Sequence, residues 1–200
     1  KHLLEENGYQ VTVFMATGIG DTAMEELIAE RLFDAVIDMS PGGIIDSLIE
    51  GGTRTACPTR LETAGLIGIP QVIVPGGLDF ISPLRSKYTP EYDTRKSFRP
   101  DKLRRLLRSN IDELRQVAGI IARKLNAGHG PVKFLIPLNG WSRIDGPGRP
   151  MYDPAANSAF VEELRKQLKK DIEVREVDAW IEDPIFASAL IEALDEVMKK

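Results

Sequence analysis

Short runs rich in β-branched and aliphatic residues recur along this chain at 10–15, 35–39, 71–75, 132–138 and 173–177, with helical segments between them. The alternation points to a parallel α/β architecture. Parallel neighbours are joined only by crossovers, and right-handed crossovers place helices on both faces of the sheet. Val72-Ile73-Val74 and Phe134-Leu135-Ile136 are continuous apolar triplets, as strands covered on both sides should be. Five runs are too few for a closed eight-stranded barrel. The expected fold is an open doubly wound sheet, Rossmann- or flavodoxin-like, mainly parallel, of about five strands.

The segments between the runs carry helix signals. Ile111, Leu114, Ala118, Ile121 and Leu125 share one face, with Asp112, Arg115 and Lys124 on the other. Asp153-Pro154 and Asp183-Pro184 set an N-cap acceptor before a proline at the first helical position, and Thr22 with Glu25 has capping-box spacing. Ala189, Leu190, Ala193, Leu194 and Val197 mark a core-facing stripe in a last helix over 185–198. Residues 2–6 read as the second half of a helix stopped by Asn7-Gly8. A single domain, truncated at its front, is expected, with no internal repeat.

Composition narrows the function classes. The one cysteine, Cys57, cannot pair within the chain, which fits a reducing cytoplasm. With 26 Lys and Arg against 30 Asp and Glu, the formal charge of −4 argues against a general nucleic-acid binder. No apolar run approaches the roughly 20 residues that a membrane span needs. Residues 76–100 are expected to form a long loop of the kind that carries function, with Phe80, Tyr88, Tyr92 and Phe98 within it. From 76 to 108 nine basic residues stand against four acidic ones, a local surplus that would attract an anion.

In an open parallel sheet, ligands bind beyond the carboxyl ends of the strands. Glycines cluster there. The first run is followed by Thr17, Gly18, Gly20 and Asp21, the second by Gly42 and Gly43, and the third by Gly76, Gly77 and Asp79. Free amides at a helix start, with glycines that let a ligand approach, would make a phosphate or carboxylate cradle. Asn139, Gly140 and Arg143 follow the fourth run, and Asp178, Trp180, Glu182 and Asp183 the fifth. Arg108 closes the basic segment. The third glycine of the dinucleotide fingerprint is absent, as is the Gly-Lys-Ser/Thr of a nucleotide-hydrolysing loop. Nucleophilic catalysis finds little support, since Cys57 has no histidine partner and His129 belongs to the opposite edge. Metal ligands at recognisable spacing are missing, and Mg²⁺ held by Asp79 or Asp178 alone stays open.

Ala16-Thr17-Gly18-Ile19-Gly20, Met24-Glu25-Glu26-Leu27, Arg60-Leu61-Glu62-Thr63-Ala64 and Pro75-Gly76-Gly77-Leu78-Asp79 resemble the C-terminal half of the Tm-1-like family, an uncharacterised bacterial, archaeal and plant family. Arg108-Ser109-Asn110, Ile136-Pro137-Leu138, Asp153-Pro154 and Asp183-Pro184 continue the resemblance in order. It implies a two-lobed α/β protein of which this chain is the second lobe, a homodimeric assembly, and ATP as candidate ligand, with which Mg²⁺ would come. It also implies histidines where this chain has Met15 and Trp180, an asparagine at Glu182 and an aspartate at Thr59. A further His-Asn pair, expected near 104–107, is absent too. Losing imidazoles removes the side chains best suited to proton transfer near neutral pH. Two functions follow: a small-molecule site for a nucleotide or other anionic metabolite at the glycine-rich rim, or a non-enzymatic regulatory or interaction module with a vestigial cleft.

Overall fold

A computed structural model describes residues 1–199. The chain opens with helices α1 (His2–Glu6) and α2 (Ile19–Ala29), strand β1 (Val36–Asp38) and the one-turn helices α3 (Gly43–Asp46) and α4 (Thr63–Leu66). Strands β2 (Gln71–Ile73), β3 (Phe80–Ile81), β4 (Ser97–Phe98) and β5 (Leu106–Arg108) follow. Helix α5 (Ile111–Ala127), β6 (Val132–Pro137), α6 (Pro154–Gln167), β7 (Glu173–Val177) and α7 (Pro184–Met198) complete the order.

The strands β1, β2, β6 and β7 form one parallel sheet in that order, and β3, β5 and β4 form a small antiparallel one. Alternating side chains of the parallel sheet serve two cores. Ile73, Phe134 and Ile136 pack with the buried stripe of α5 and with Phe160 and Leu164 of α6. Val72, Val74 and Leu135 turn to the other face and meet Phe186, Leu190, Leu194 and Val197 of α7. The sheet is thus doubly wound. A third cluster joins Ile28 of α2 to Ala64 of α4 and Ile69, with Val36 packed against it. Lys133 of β6 is buried with the apolar residues because Glu173 and Glu196 pair with its ammonium.

Local chemistry explains the helix starts. Asn110 accepts from the Glu113 amide at 2.8 Å while the Glu113 carboxylate accepts from the Asn110 amide at 2.9 Å, closing a capping box on α5. Asp153 caps α6 through the Ala156 amide at 3.1 Å. The dipeptide Asp183-Pro184 also starts a helix, but the Asp183 carboxylate takes the Trp180 amide at 2.7 Å and leaves α7 without a side-chain cap.

Three sequence expectations differ from the structure. Residues 10–15 join no strand, and Val13 and Met15 stand 71% and 74% exposed, because period-two patterning makes a strand only where a sheet edge and a covering layer take up its two faces. Helix α2 starts at Ile19, with Gly18 as its cap, so Thr22 falls inside the helix and makes no capping box with Glu25. The segment 76–100 is no bare loop: it holds β3, β4 and two 3₁₀ turns, Arg85–Lys87 and Pro90–Thr94. Two-residue strands are too short to register as alternation. Among the described residues no helix is long and apolar enough to cross a membrane.

Phe160 is fully buried, its ring 5.2 Å from Trp141 and 6.1 Å from Phe134. Phe160→Ala should lower unfolding free energy by about 3–5 kcal/mol in urea titration, through lost burial and the cavity left between α6 and the sheet.

Candidate functional site

The rim where the parallel strands end is organised by Arg60, which is 3% exposed. Its guanidinium grips both oxygens of Asp38 at the end of β1, at 2.6 and 2.8 Å, and reaches Asp21 of α2 at 2.9 Å. The carbonyls of Ala16 and Ser40 complete its donors at 3.4 Å each. Burial works against this charge, but Asp38 and Asp21 outweigh it and raise the guanidinium pKa above its ordinary value. Asp21 also accepts from the Cys57 amide at 2.9 Å. The start of α2, the end of β1 and residues 57–60 are therefore tied at one point. Neither Arg60, which sequence places only in a motif of the resemblance, nor Asp38 is marked as a site residue there, since an ion pair 22 residues apart leaves no local pattern.

Most of the rim glycines serve close backbone approach. A Cβ on Gly42 would lie 2.5 Å from the Gly77 carbonyl oxygen, one on Gly76 2.2 Å from that of Met39, and one on Gly43 2.5 Å from that of Arg54. Gly20 sits 2.7 Å from the Met15 carbonyl by the same measure, and Gly140 1.7 Å from that of Asp145. Gly18 differs. It has φ +67 with nothing within 4 Å of its Cβ position, so its backbone faces open space.

That space is an open groove of about 910 Å³ between α2 and residues 55–63. Gly18, Ile19, Thr22, Glu25, Thr55, Cys57, Thr59 and Thr63 contribute to its walls. Burial pushes the Cys57 thiol above its ordinary pKa, and Asp21 beside it adds to the rise, which leaves the thiol a poor nucleophile. Glu25 is 5% exposed; its Oε1 accepts from the Leu61 amide at 3.1 Å, and its Oε2 closes no hydrogen bond. Burial raises the Glu25 carboxyl pKa, with Thr63 close enough to moderate the rise.

The other expected site residues lie further along the rim. Strand spacing of about 4.8 Å puts the ends of β1 and β7 about 14 Å apart. Thr17, Gly18, Gly20 and Asp21 stand at the β1 end by way of Arg60. Gly42 and Gly77 are in contact between β1 and β2. Beyond β6 and β7, Asn139 donates to Asp178 at 3.1 Å and Arg143 pairs with Glu182 at 3.1 Å. There Asn139, Arg149, Trp180 and Asp183 line a hollow of about 260 Å³.

Asp79 and Arg108 are buried below the rim. Asp79 accepts from the Ser142 hydroxyl at 2.6 Å, and Asp145 accepts from the Trp141 amide at 3.0 Å and from Asn157 at 2.9 Å. Arg108 donates to the carbonyls of Asp79 and Asp153 and to the Asn157 side chain. One oxygen each of Asp79 and Asp145, and the Arg108 Nε, have no partner. Burial, with Asp145 adding to it, pushes the Asp79 carboxyl up to about 6, against the pull of Arg108 and Ser142.

The basic surplus of 76–108 is largely matched by counter-ions, several from outside the segment. Arg95 pairs with Glu113 at 2.6 Å, Lys96 with Asp153 at 3.3 Å, Arg104 with Asp101 at 2.7 Å and Arg105 with Asp93 at 2.9 Å. Lys87 pairs with Glu50. A count along the sequence cannot see such partners.

The raised Asp79 pKa has a definite sign. The folded protein binds this proton more tightly than the unfolded chain does, so the associated stability is complete below about pH 4 and is lost as pH rises to about 6. The loss is on the order of 3 kcal/mol. Asp79→Asn keeps an acceptor for Ser142 without the charge. The variant should be more stable than the parent near neutral pH and should lose that margin below about pH 4 in urea melts.

A sequence model of the C-terminal domain of an uncharacterised protein family, UPF0261, matches residues 1–198. A UPF0261 protein of Clostridium tetani is 35% identical over 202 residues, covering 100% of this chain and 50% of that protein. One of Brucella melitensis is 35% identical, covering 96% of this chain and 46% of its own length. The ToMV resistance protein Tm-1(GCR237) of Solanum lycopersicum is 31% identical across 100% of this chain and 27% of its own length. The chain spans about half the length of these bacterial relatives. It belongs to the UPF0261 family and corresponds to that family's C-terminal domain.

Proposed function

We propose that this domain binds a small anionic metabolite of the nucleotide or sugar-phosphate kind, with its anionic end on the first turn of α2 and its body along the groove. The reading rests on Gly18. Its backbone conformation, φ +67 and ψ −132, caps α2 without any side-chain hydrogen bond. The first-turn amides, which have no acceptor within a helix, therefore begin where Gly18 and Ile19 line the groove. The partial positive charge of a helix start favours an anion there, and Arg60 pairs with the Asp21 of that first turn while also holding Asp38. Threonine hydroxyls at 22, 55, 59 and 63 suit the polar body of such a ligand. ATP with Mg²⁺ falls within this class. Among the described residues no group of three or more His, Cys, Asp or Glu side chains could hold a metal, so the ion in this reading arrives with the triphosphate.

A second reading, an interaction module that pairs with another copy of the chain, is favoured by one observation: Val13, Met15 and Ile19 are 71%, 74% and 89% exposed. Light scattering on the intact protein separates the two. A dimer that Met15→Glu converts to monomer supports the interaction reading, and a monomer at all concentrations contradicts it.

Thermal shift of the intact protein with ATP, AMP and inorganic phosphate tests the binding reading. A ligand at a hundred times its dissociation constant should add about 2.7 kcal/mol of stability. Gly18→Val, which forces a β-branched residue into a conformation natural only to glycine, should abolish the shift. No shift with any of the three probes would overturn the proposal.

A further inference from the structure

We propose that Asp79 and Asp145 form an acid latch on residues 139–152, the connection between β6 and α6, which keeps that segment shut in acidic solution and loosens it toward neutral pH. Both carboxylates are fully buried, and among the described residues neither receives a hydrogen bond from a cation. Asp79, in the turn between β2 and β3, accepts through Oδ2 from the Ser142 hydroxyl at 2.6 Å. Asp145 accepts through Oδ2 from the Trp141 amide at 3.0 Å and from Asn157 of α6 at 2.9 Å. The Oδ1 of each has no hydrogen-bond partner.

The surrounding charges are committed elsewhere. Arg108 of β5 is the cation whose charge reaches Asp79, yet it donates to the carbonyls of Asp79 and Asp153 and to the Asn157 side chain. Arg54 donates to the carbonyls of Gly77 and Phe80 beside the turn and is matched by Asp46, and the Asp153 carboxylate is matched by Lys96. Two ionised carboxylates would thus share this interior with one guanidinium that grips neither. Buried like charges are relieved by taking up a proton or by admitting water. Asp79 takes the proton, its carboxyl pushed up to about 6 by burial and by Asp145.

Residues 139–152 are the part that can give way, since they carry no helix or named strand. Their closure rests on a few turns: the Asp145 amide donates to the Ser142 carbonyl at 3.1 Å, and the Met151 amide to that of Ile144 at 2.9 Å. The Ser142 hydroxyl also accepts from the Ile144 amide at 3.3 Å, so one group ties the turn to Asp79. Trp180 secures the same residues, its indole donating to the carbonyls of Ser142 and Asp145 at 2.9 and 3.1 Å. Gly146, Pro147 and Arg149 of the segment line the hollow at the β6 and β7 ends with Trp180 and Asp183, so loosening the segment opens that hollow. An open form solvates Asp79 and returns it to the ordinary carboxyl range. Opening therefore becomes easier from about pH 4 and levels off above about 6.

Amide hydrogen exchange of the intact protein at pH 4.5 and pH 7, expressed as protection factors so that intrinsic base catalysis drops out, tests the latch. In the parent, the amides of 141–151 should exchange through an opening of their own, less protected than those of α5, and their protection should fall at least about tenfold between the two pH values. In Asp79→Asn, which keeps an acceptor for Ser142 without the charge, their protection should stay constant. Protection at 141–151 equal to that of α5 at both pH values would overturn the proposal, because the segment would then have no separate opening. So would protection in the parent that does not change with pH, or a fall that persists in the variant. The first two results need only the parent.

Discussion

Arg60 shares one positive charge between Asp38, at the end of β1, and Asp21, in the first turn of α2. Buried ion pairs add little net stability, because desolvation offsets most of the attraction, but removing one partner strands a charge at a cost of about 3–5 kcal/mol. The arrangement therefore specifies geometry more than it adds free energy. It holds α2 against the strand-end rim and carries residues 57–63 alongside, and those two segments form the groove walls. Leu61, at φ +68, and the Glu25 carboxylate that takes its amide continue the same link.

Two kinds of buried acid follow from this layout. Asp21 and Asp38 share one cation, Arg60. Glu25 and Asp79 each keep an oxygen without a partner, and burial raises both pKa values. Such groups are costly in a folded protein and concentrate where a site is prepared for an occupant or a proton. Both carboxylates are buried, Glu25 against Leu61 and Thr63 and Asp79 beneath the rim, so both act on packing.

Much of the architecture was legible in the residues. The run at 173–177 is β7, and Leu114, Ala118, Ile121 and Leu125 lie on the buried face of α5 while Ile111 at its start is 41% exposed, because long periodic patterns survive into tertiary structure and helix ends fall outside the covering layer. Asp153-Pro154 also capped a helix as its chemistry implies. The run at 10–15 has the composition of a strand without a partner in the sheet, and pairing is not a local property. The glycines were recognisable as special, but which of them open to a groove and which press on another backbone depends on chain crossings far apart in sequence: Gly42 meets Gly77, while Gly18 meets nothing. The pairing of Arg60 with Asp38 was missed for the same reason, and so were the counter-ions of the basic segment.

The claim on which this account depends is that the Arg60 fork, rather than general packing, fixes the start of α2. Amide hydrogen exchange in Arg60→Lys, which keeps the charge but loses the two-pronged grip, tests it directly. Protection should fall at residues 19–24 and 57–61 while the amides of α5 and β6 exchange as in the parent. Unchanged protection at 19–24 in a folded variant would contradict the account.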